Sequence, residues 1–379
     1  MIDLAATPSH VVPSLAPRPV RVCFLIDNLS RAGTEMQMLA LLCSLDRAAV
    51  EPSLVLLDGE NDLSSSLEPD HCPVLRLGVK KLISRKGLAA AHRFARFLRQ
   101  QGTDILQAYF LDSTYFGVFA ARWAGVRKVV RVRNNLGYWL TRKHRLLHRL
   151  YGPWIDLSLT NSAEGKAALE AEGVPAARIA VLENGVDVER FATDPPRFAK
   201  EVCVGAVANL RPVKRLDLLI RAAAKLLPRH PGLRFEVAGD GPQRPELEIL
   251  IAELGIADRF RLLGQVSDVP AFLASLDVAV LCSSTEGMSN AVLEYMAAGR
   301  PIVATSVGAN AQLLRDGEDG LLVEPENLAE LTAGIKRLVS NPDLARRLGA
   351  SARRRACESF SRDAMRRRFE HLYRSLVSG

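Results

Sequence analysis

The chain has 379 residues, 48% of them hydrophobic and 24% charged. That length suits two domains of ordinary size, and the composition is that of a globular chain, not a disordered one. The formal charge is +8, and no apolar run approaches the length needed to span a membrane.

In chain order, Met1 to Pro19 has no basic segment followed by an apolar core. It reads as a mobile leader over residues 1–18, not as a secretory signal. Val20 to Ile26 is the first expected strand, Gly33 the turn after it, and Glu35 to Leu45 an amphipathic helix. Strands are expected again at Ser53 to Leu57, Val74 to Leu77, Ile105 to Tyr109, Lys128 to Val132 and Leu157 to Thr160. Helices fall between them, at Gly87 to Gln101, Tyr115 to Ala124 and Ala163 to Glu172. Such alternation implies a parallel sheet with helices on both faces. Asp194-Pro195-Pro196 reads as a linker. The pattern then restarts with strands at Val202 to Val207, Leu233 to Ala238, Arg259 to Leu263, Asp277 to Cys282, Pro301 to Ala304 and Leu321 to Val323. The expected division is residues 19–192, residues 193–358 and a final helical segment, 359–379.

The stretch between Asp277 and Ala304 carries the chemistry. A buried strand runs into the loop Ser283 to Met288 and then a helix, Ser289 to Ala298, with Ser289 or Asn290 as its cap and Gly299 as its stop. Open parallel sheets bind ligands at this edge. The backbone N–H groups of Gly287, Met288, Ser289 and Asn290 form a helix start suited to an anion. Glu286 and Glu294 flank it and can accept hydroxyls on either side. That suits a nucleoside diphosphate sugar. The competing reading makes Glu294 a dipole partner and Glu286 a solvated loop acid, and the spacing alone favours it.

Charge is uneven elsewhere. Between Arg122 and Trp154 stand nine basic residues and no acid, with Tyr138, Trp139, Tyr151 and Trp154 interleaved. The segment reads equally as a solvated basic face over core aromatics or as a surface for anionic membranes or acidic substrates. Nothing else points to nucleic acid. The six cysteines are scattered without a C-x-x-C; several fall in apolar runs and read as core thiols of a reducing compartment, and no His/Cys cluster has metal-ligand spacing.

The segment EGMSNAVLEYMAAGRPIVAT resembles the C-terminal signature of the retaining GT-B glycosyltransferases of family 4. LTNSAEGKAAL, VLENGVDVERF and ANLRPVKRLDLLIRA extend the resemblance over most of the chain. It implies an α/β GT-B fold, with two Rossmann-like domains facing each other across a cleft. The first would bind the acceptor and the second the nucleotide sugar, with the last helix crossing back onto the first.

By the resemblance, Glu286 contacts the transferred sugar and Glu294 the ribose hydroxyls. Gly33 approaches the donor phosphates, although the family commonly has two adjacent glycines where this chain has Ala32-Gly33. Lys214 matches the lysine that clamps the diphosphate. Asn209 stands at the family's arginine position, and Arg211 is the nearest guanidinium. An acceptor-side histidine is common in the family. Here Gln107 and Arg133-Asn134 occupy the candidate places, so Arg133 and Asn134 are possible acceptor or sugar contacts. His144 and His148 read as surface residues.

No D-x-D triplet occurs, so the expected reaction is metal-independent, retaining transfer from a nucleotide diphosphate sugar, expected to be a UDP-sugar, without a cofactor. The expected acceptor is a glycan or lipid-linked glycan in cell-surface polysaccharide or glycolipid synthesis. The expected location is the cytoplasm, with peripheral contact to the inner membrane. Two alternatives stand beside it: an epimerase or hydrolase on the same fold, and a non-catalytic nucleotide-sugar-binding or scaffold subunit of a polysaccharide assembly complex.

Overall fold

The computed structural model describes residues 18–59, 62–79, 81–134 and 142–378, apart from the side chains of residues 142–146. The leader call therefore lies almost wholly outside the described residues, as do Tyr138 and Trp139. The side chains of Arg142, Lys143, His144 and Arg145 lie outside them too.

The first parallel sheet contains β1 (Val20–Ile26), β2 (Val50–Leu56), β3 (Val74–Arg76), β4 (Ile105–Tyr109), β5 (Lys128–Val132), β6 (Leu157–Thr160) and β7 (Ile179–Val181). Their spatial order is β3-β2-β1-β4-β5-β6-β7. Helices α1 (Gly33–Ser44), α2 (Asp62–Leu67), α3 (Arg85–Gln100), α4 (Leu111–Ala124), α5 (Arg142–Tyr151) and α6 (Ala163–Ala171) connect them. The second sheet has β8 (Val202–Val207), β9 (Leu233–Ala238), β10 (Phe260–Gly264), β11 (Val278–Leu281), β12 (Ile302–Thr305) and β13 (Leu321–Val323). Its order is β10-β9-β8-β11-β12-β13. Its helices are α7 (Leu216–Leu226), α8 (Arg244–Glu253), α9 (Val269–Ala274), α10 (Asn290–Ala297), α11 (Asn310–Leu313), α12 (Leu328–Val339) and α13 (Pro342–Ser359). The last helix is α14 (Arg362–Ser378).

Both sheets are doubly wound. Strand order reverses between β1 and β4 in one and between β8 and β11 in the other, and crevices form at such switch points. The central strands are covered on both faces, so they are largely apolar instead of alternating. All five residues of β4 and all four of β11 are buried. Polar caps start several helices: Ser84 Oγ accepts from Gly87 N at 2.9 Å and Ser162 Oγ from Gly165 N at 3.0 Å. Each satisfies one otherwise unpaired helix-start donor.

Helix α14 packs on the first sheet. Its Met365, Phe369 and Tyr373 join the core formed by Val22, Phe24 and Ile105. Burying each such side chain contributes about 1.5–3 kcal/mol. Tyr373 Oη donates to Gln107 Oε1 at 2.8 Å, and Gln107 Nε2 donates to Tyr109 Oη at 2.7 Å. Gln107, a candidate place for the acceptor-side histidine, is fully buried beneath α14. It faces the core because strand alternation turns it away from the cleft.

The linker is clamped by a buried arginine. Arg300 Nη1 donates to Leu276 O at 2.9 Å and Nη2 to Thr193 Oγ1 at 2.9 Å. Thr193 Oγ1 in turn donates to Ala298 O at 2.7 Å. All six cysteines are free; Cys23, Cys203 and Cys282 are buried as core thiols, whereas Cys43 and Cys357 are exposed. No helix among the described residues is long and apolar enough to cross a membrane.

Candidate functional site

The loop after β11 is built tightly. Ser283 is buried, and its carbonyl accepts from Thr305 Oγ1 at 2.7 Å. Glu286 Oε1 receives Ser283 Oγ at 2.6 Å and Lys214 Nζ at 2.6 Å. Lys214 comes from the short turn after β8, so the two sides of the switch point meet in one ion pair. The pair is shielded, with side-chain exposures of 22% and 12%, where such contacts exceed the small worth of an open surface pair. Gly308, at φ +53°, closes over this loop, and a Cβ there would stand 2.1 Å from Glu286 O. Only glycine combines that backbone conformation with that approach.

Helix α10 begins as expected, with Ser289 Oγ accepting from Val292 N at 3.3 Å. Among the described residues, the N–H groups of Gly287, Met288, Ser289 and Asn290 donate to no protein acceptor. These four donors at a helix start favour a negative ligand. Asn290 is otherwise engaged. Its Oδ1 accepts from Asn184 Nδ2 at 2.8 Å and Gln37 Nε2 at 3.1 Å, and its Nδ2 donates to Gly33 O at 3.3 Å. Its side chain bridges the two lobes, and only its backbone N–H remains for a ligand. Met288 Sδ accepts from Asn184 N at 3.1 Å. A Cβ on Gly287 would lie 2.5 Å from Asn134 O, so the loop touches the opposite lobe there.

Glu294 lies on the second turn of α10, partly buried. Among the described residues its carboxylate has no hydrogen bond or ion pair. Burial pushes its carboxyl up to about 7, against a weak opposing pull from Arg190. The charged form therefore awaits a donor. Asn209 and Arg211 are exposed, and neither side chain has a protein partner among the described residues. The backbones are linked, with Arg211 N donating to Asn209 O at 2.8 Å. The next arginine, Arg215, is taken up by Asp217 and Glu326.

Across the cleft, the first switch point opens into a cavity of about 300 Å³ lined by Asp27, Thr34, Arg131, Arg133, Asn134 and His148, among others. Asp27 accepts from Ser113 N at 3.0 Å, and burial raises its carboxyl despite that bond. Arg133 pairs with Glu172. Burial raises the Glu172 carboxyl, but its neighbours His148 and Arg133 outweigh it and hold it at about 2. Arg131 and Arg133 are only 5% and 8% exposed. They do not belong to a solvated basic face, because β5 is an interior strand with no solvent side. His148, expected at the surface, has a side chain only 11% exposed.

The structure brings Glu286 and Lys214, both singled out in the sequence, into contact, and adds Asn184, Gln37 and Asp27, which the sequence reading did not name. The segment containing Asn184 was noted only as a domain-closing phrase.

Two family models match the chain: Glycosyl transferases group 1 over residues 187–355 and Glycosyl transferase 4-like domain over residues 32–185. The MMP alpha-(1->4)-mannosyltransferase of Mycolicibacterium hassiacum is 37% identical over 212 residues, 54% of this chain and 50% of that protein. The lipopolysaccharide core biosynthesis glycosyltransferase LpsE of Rhizobium meliloti is 33% identical over 180 residues, 48% of this chain and 51% of that protein. These matches span about half the length of either relative. Anabaena Alr3699/HepE, crystallised in complex with UDP, superposes with a TM-score of 0.82 over 94% of this chain and 100% of that one, at 21% identity. With both lobes matched and the fold shared, the chain belongs to the group 1 glycosyltransferases and has their GT-B architecture.

Proposed function

We propose that the protein is a retaining, metal-independent glycosyltransferase that moves a sugar from a nucleoside diphosphate, UDP foremost, to an acceptor hydroxyl. The observation that carries this reading is the set of four unpartnered N–H groups beside the Lys214–Glu286 pair. The donor diphosphate would lie against those N–H groups and share Lys214 Nζ with Glu286. Glu294 would accept the ribose hydroxyls. HepE, of the same fold, was crystallised with UDP, which supports that choice of nucleotide.

In the reaction, the bond between the anomeric carbon and the diphosphate oxygen breaks, and its electron pair leaves with the diphosphate. Lys214 and the N–H groups stabilise that growing negative charge. The acceptor oxygen bonds to the same face of the anomeric carbon, and its proton passes to the departing phosphate oxygen. Glu286, held by Ser283, positions the sugar. The relatives act in mannosyl transfer and lipopolysaccharide core synthesis, which supports a glycan or glycolipid acceptor. The reading as a scaffold without turnover is weaker, because Glu286 and Lys214 are both present and in contact.

A thermal-shift panel of nucleoside diphosphates and their sugars, with and without chelator, tests the donor site. The expected result is a rise with UDP that ignores chelator and is lost in Lys214→Ala. No rise with any nucleotide would overturn the donor assignment.

A second reading concerns location. Phe119, Trp123, Leu150 and Trp154 are exposed on α4, α5 and the turn that follows, and Arg122 lies among them, its Nη2 donating to Trp154 O at 2.7 Å. Aromatic rings beside cationic groups suit an anionic bilayer surface. Co-sedimentation with anionic liposomes should fall in Phe119→Ser/Trp123→Ser. Unchanged sedimentation would remove the membrane reading.

A further inference from the structure

The wall behind the first-lobe cavity holds more positive charge than the protein balances. A second cavity, of about 440 Å³, adjoins the first, and Arg131 and His148 line both. Arg149 and Arg178 add to the second cavity. Among the described residues lining the two cavities, the acids that stand against these and Arg133 are Glu172, paired with Arg133, and Asp27, bonded to Ser113.

Arg131 is the pivotal group. It is 5% exposed, yet its side chain makes one hydrogen bond, from Nη2 to the neutral Ser158 Oγ at 3.1 Å. Its Nε–H is buried without a partner. Both ring nitrogens of His148 are likewise buried without a hydrogen bond, Nδ1 standing 3.8 Å from Glu172, too far for one. The Tyr115 ring lies 5.9 Å from the His148 ring, and its hydroxyl is also unpartnered. Arg131 shares its nearby carboxylate, Glu172, with Arg133, and burying a guanidinium with neither an anion of its own nor a partner for its Nε–H is costly. Unmet buried donors that converge on one cavity wall are met by a ligand. A guanidinium N–H, an imidazole and a phenol on one wall can each donate to an oxyanion, and the guanidinium supplies the charge that selects one.

We propose that the acceptor is an anionic molecule, and that a phosphate or carboxylate on it is bound by Arg131 and His148 where the two cavities meet. The word acceptor rests on the transferase reading above; the anion site does not. The donor diphosphate has its own donors in the other lobe, at the start of α10. The first-lobe cavity reaches that loop through Asn134, whose carbonyl abuts Gly287. An acceptor anchored by its anion at Arg131 therefore extends its hydroxyl toward the donor sugar. A neutral glycan would leave those donors unmet and bind weakly.

The test follows the His148 ring resonances in the full chain, assigned with His148→Gln, as inorganic phosphate, acetate or chloride is added. The expected result is a saturable shift with phosphate, or with acetate if the anchor is a carboxylate, unchanged in Lys214→Ala. In Arg131→Met the binding should weaken at least about tenfold, the loss of one charge-assisted bond. A shift that chloride reproduces, that never saturates, or that survives Arg131→Met overturns the proposal. If Arg131→Met does not fold, Arg131→Lys takes its place: it keeps the charge but loses Nε–H, and wild-type phosphate binding there is equally fatal. The UDP thermal shift on the same samples separates the two readings. Its loss with phosphate binding intact sinks the donor assignment alone, and the reverse outcome sinks the anion site alone.

Discussion

On the C-terminal lip of the cleft, Glu286 takes Lys214 and Ser283, Asn290 takes three partners, and what remains unpaired is a row of backbone N–H groups. On the N-terminal lip, what remains unpaired is a buried guanidinium and an imidazole. The first arrangement is inexpensive, because neutral N–H groups at a helix start lose little when water alone meets them. The second is costly to keep in an empty protein. The C-terminal lip is preorganised, whereas the N-terminal lip carries an electrostatic demand that the proposed anion would relieve.

The largest effect that bears on this contrast belongs to Glu286. Replacing it by Ala frees Lys214 and slackens the loop, and kcat should fall between about 10²- and 10³-fold, with a smaller change in donor KM. Initial rates of UDP release from UDP-sugar in the presence of acceptor measure it. Equal, negligible losses in Glu286→Ala and Glu294→Ala would remove the assignment of both.

Glu294 comes next, through pH. Its folded-state value, about 7, lies above the ordinary 4.5. The native state therefore binds more protons than the unfolded state between those values. Stability should fall as pH rises through that window, by about 2 kcal/mol after allowance for its partial exposure. Donor binding should move oppositely, tightening as the carboxylate forms. Glu294→Gln should abolish both trends in urea titrations and calorimetry across that range, and a wild-type chain already flat there would contradict the burial argument.

Smaller still is Tyr373→Phe, which strands Gln107 Oε1 in the core and should cost about 1 kcal/mol in urea unfolding. It should leave donor affinity untouched, since α14 lies behind the sheet. Smallest is Arg211→Ala. An exposed guanidinium without a partner should change donor affinity less than about threefold, far below Lys214→Ala. Matching losses would mean that Arg211 replaces the arginine absent at Asn209.

The sheets were legible in the sequence because central parallel strands are continuous apolar runs. β1, β4, β5, β6, β8, β9 and β13 begin and end where the residue pattern places them. The three-residue edge strand β7 was missed, although β13, equally short and also at an edge, was found. Helix α4 starts at Leu111, earlier than Tyr115, because Phe110 turns the chain at φ +62°, a conformation that side-chain chemistry does not announce. Glu286 and Lys214 were legible as a charged pair of candidates. Asn290 was legible as a helix start, but not as the bridge between lobes, because its three partners lie more than 100 positions away. Arg131 was legible only as one of nine basic residues in a segment that read equally as a solvated face or a binding surface. Its place on β5, flanked by β4 and β6 within a covered sheet, leaves it no solvent face.

The two crossings between lobes have a mechanical consequence. Val186 N donates to Phe360 O at 2.8 Å and Arg362 N to Val186 O at 3.0 Å, so the outgoing and returning chains are laced side by side. Arg300 fixes the outgoing chain just beyond, at Thr193. Two independent tethers set far apart would lock the lobes. Two tethers laced at one place act as a single spine, and rotation about that spine is the one motion that breaks neither. Opening and closing should therefore resemble the turning of a page, with the travel of the Asn290 bridge set by its distance from Val186.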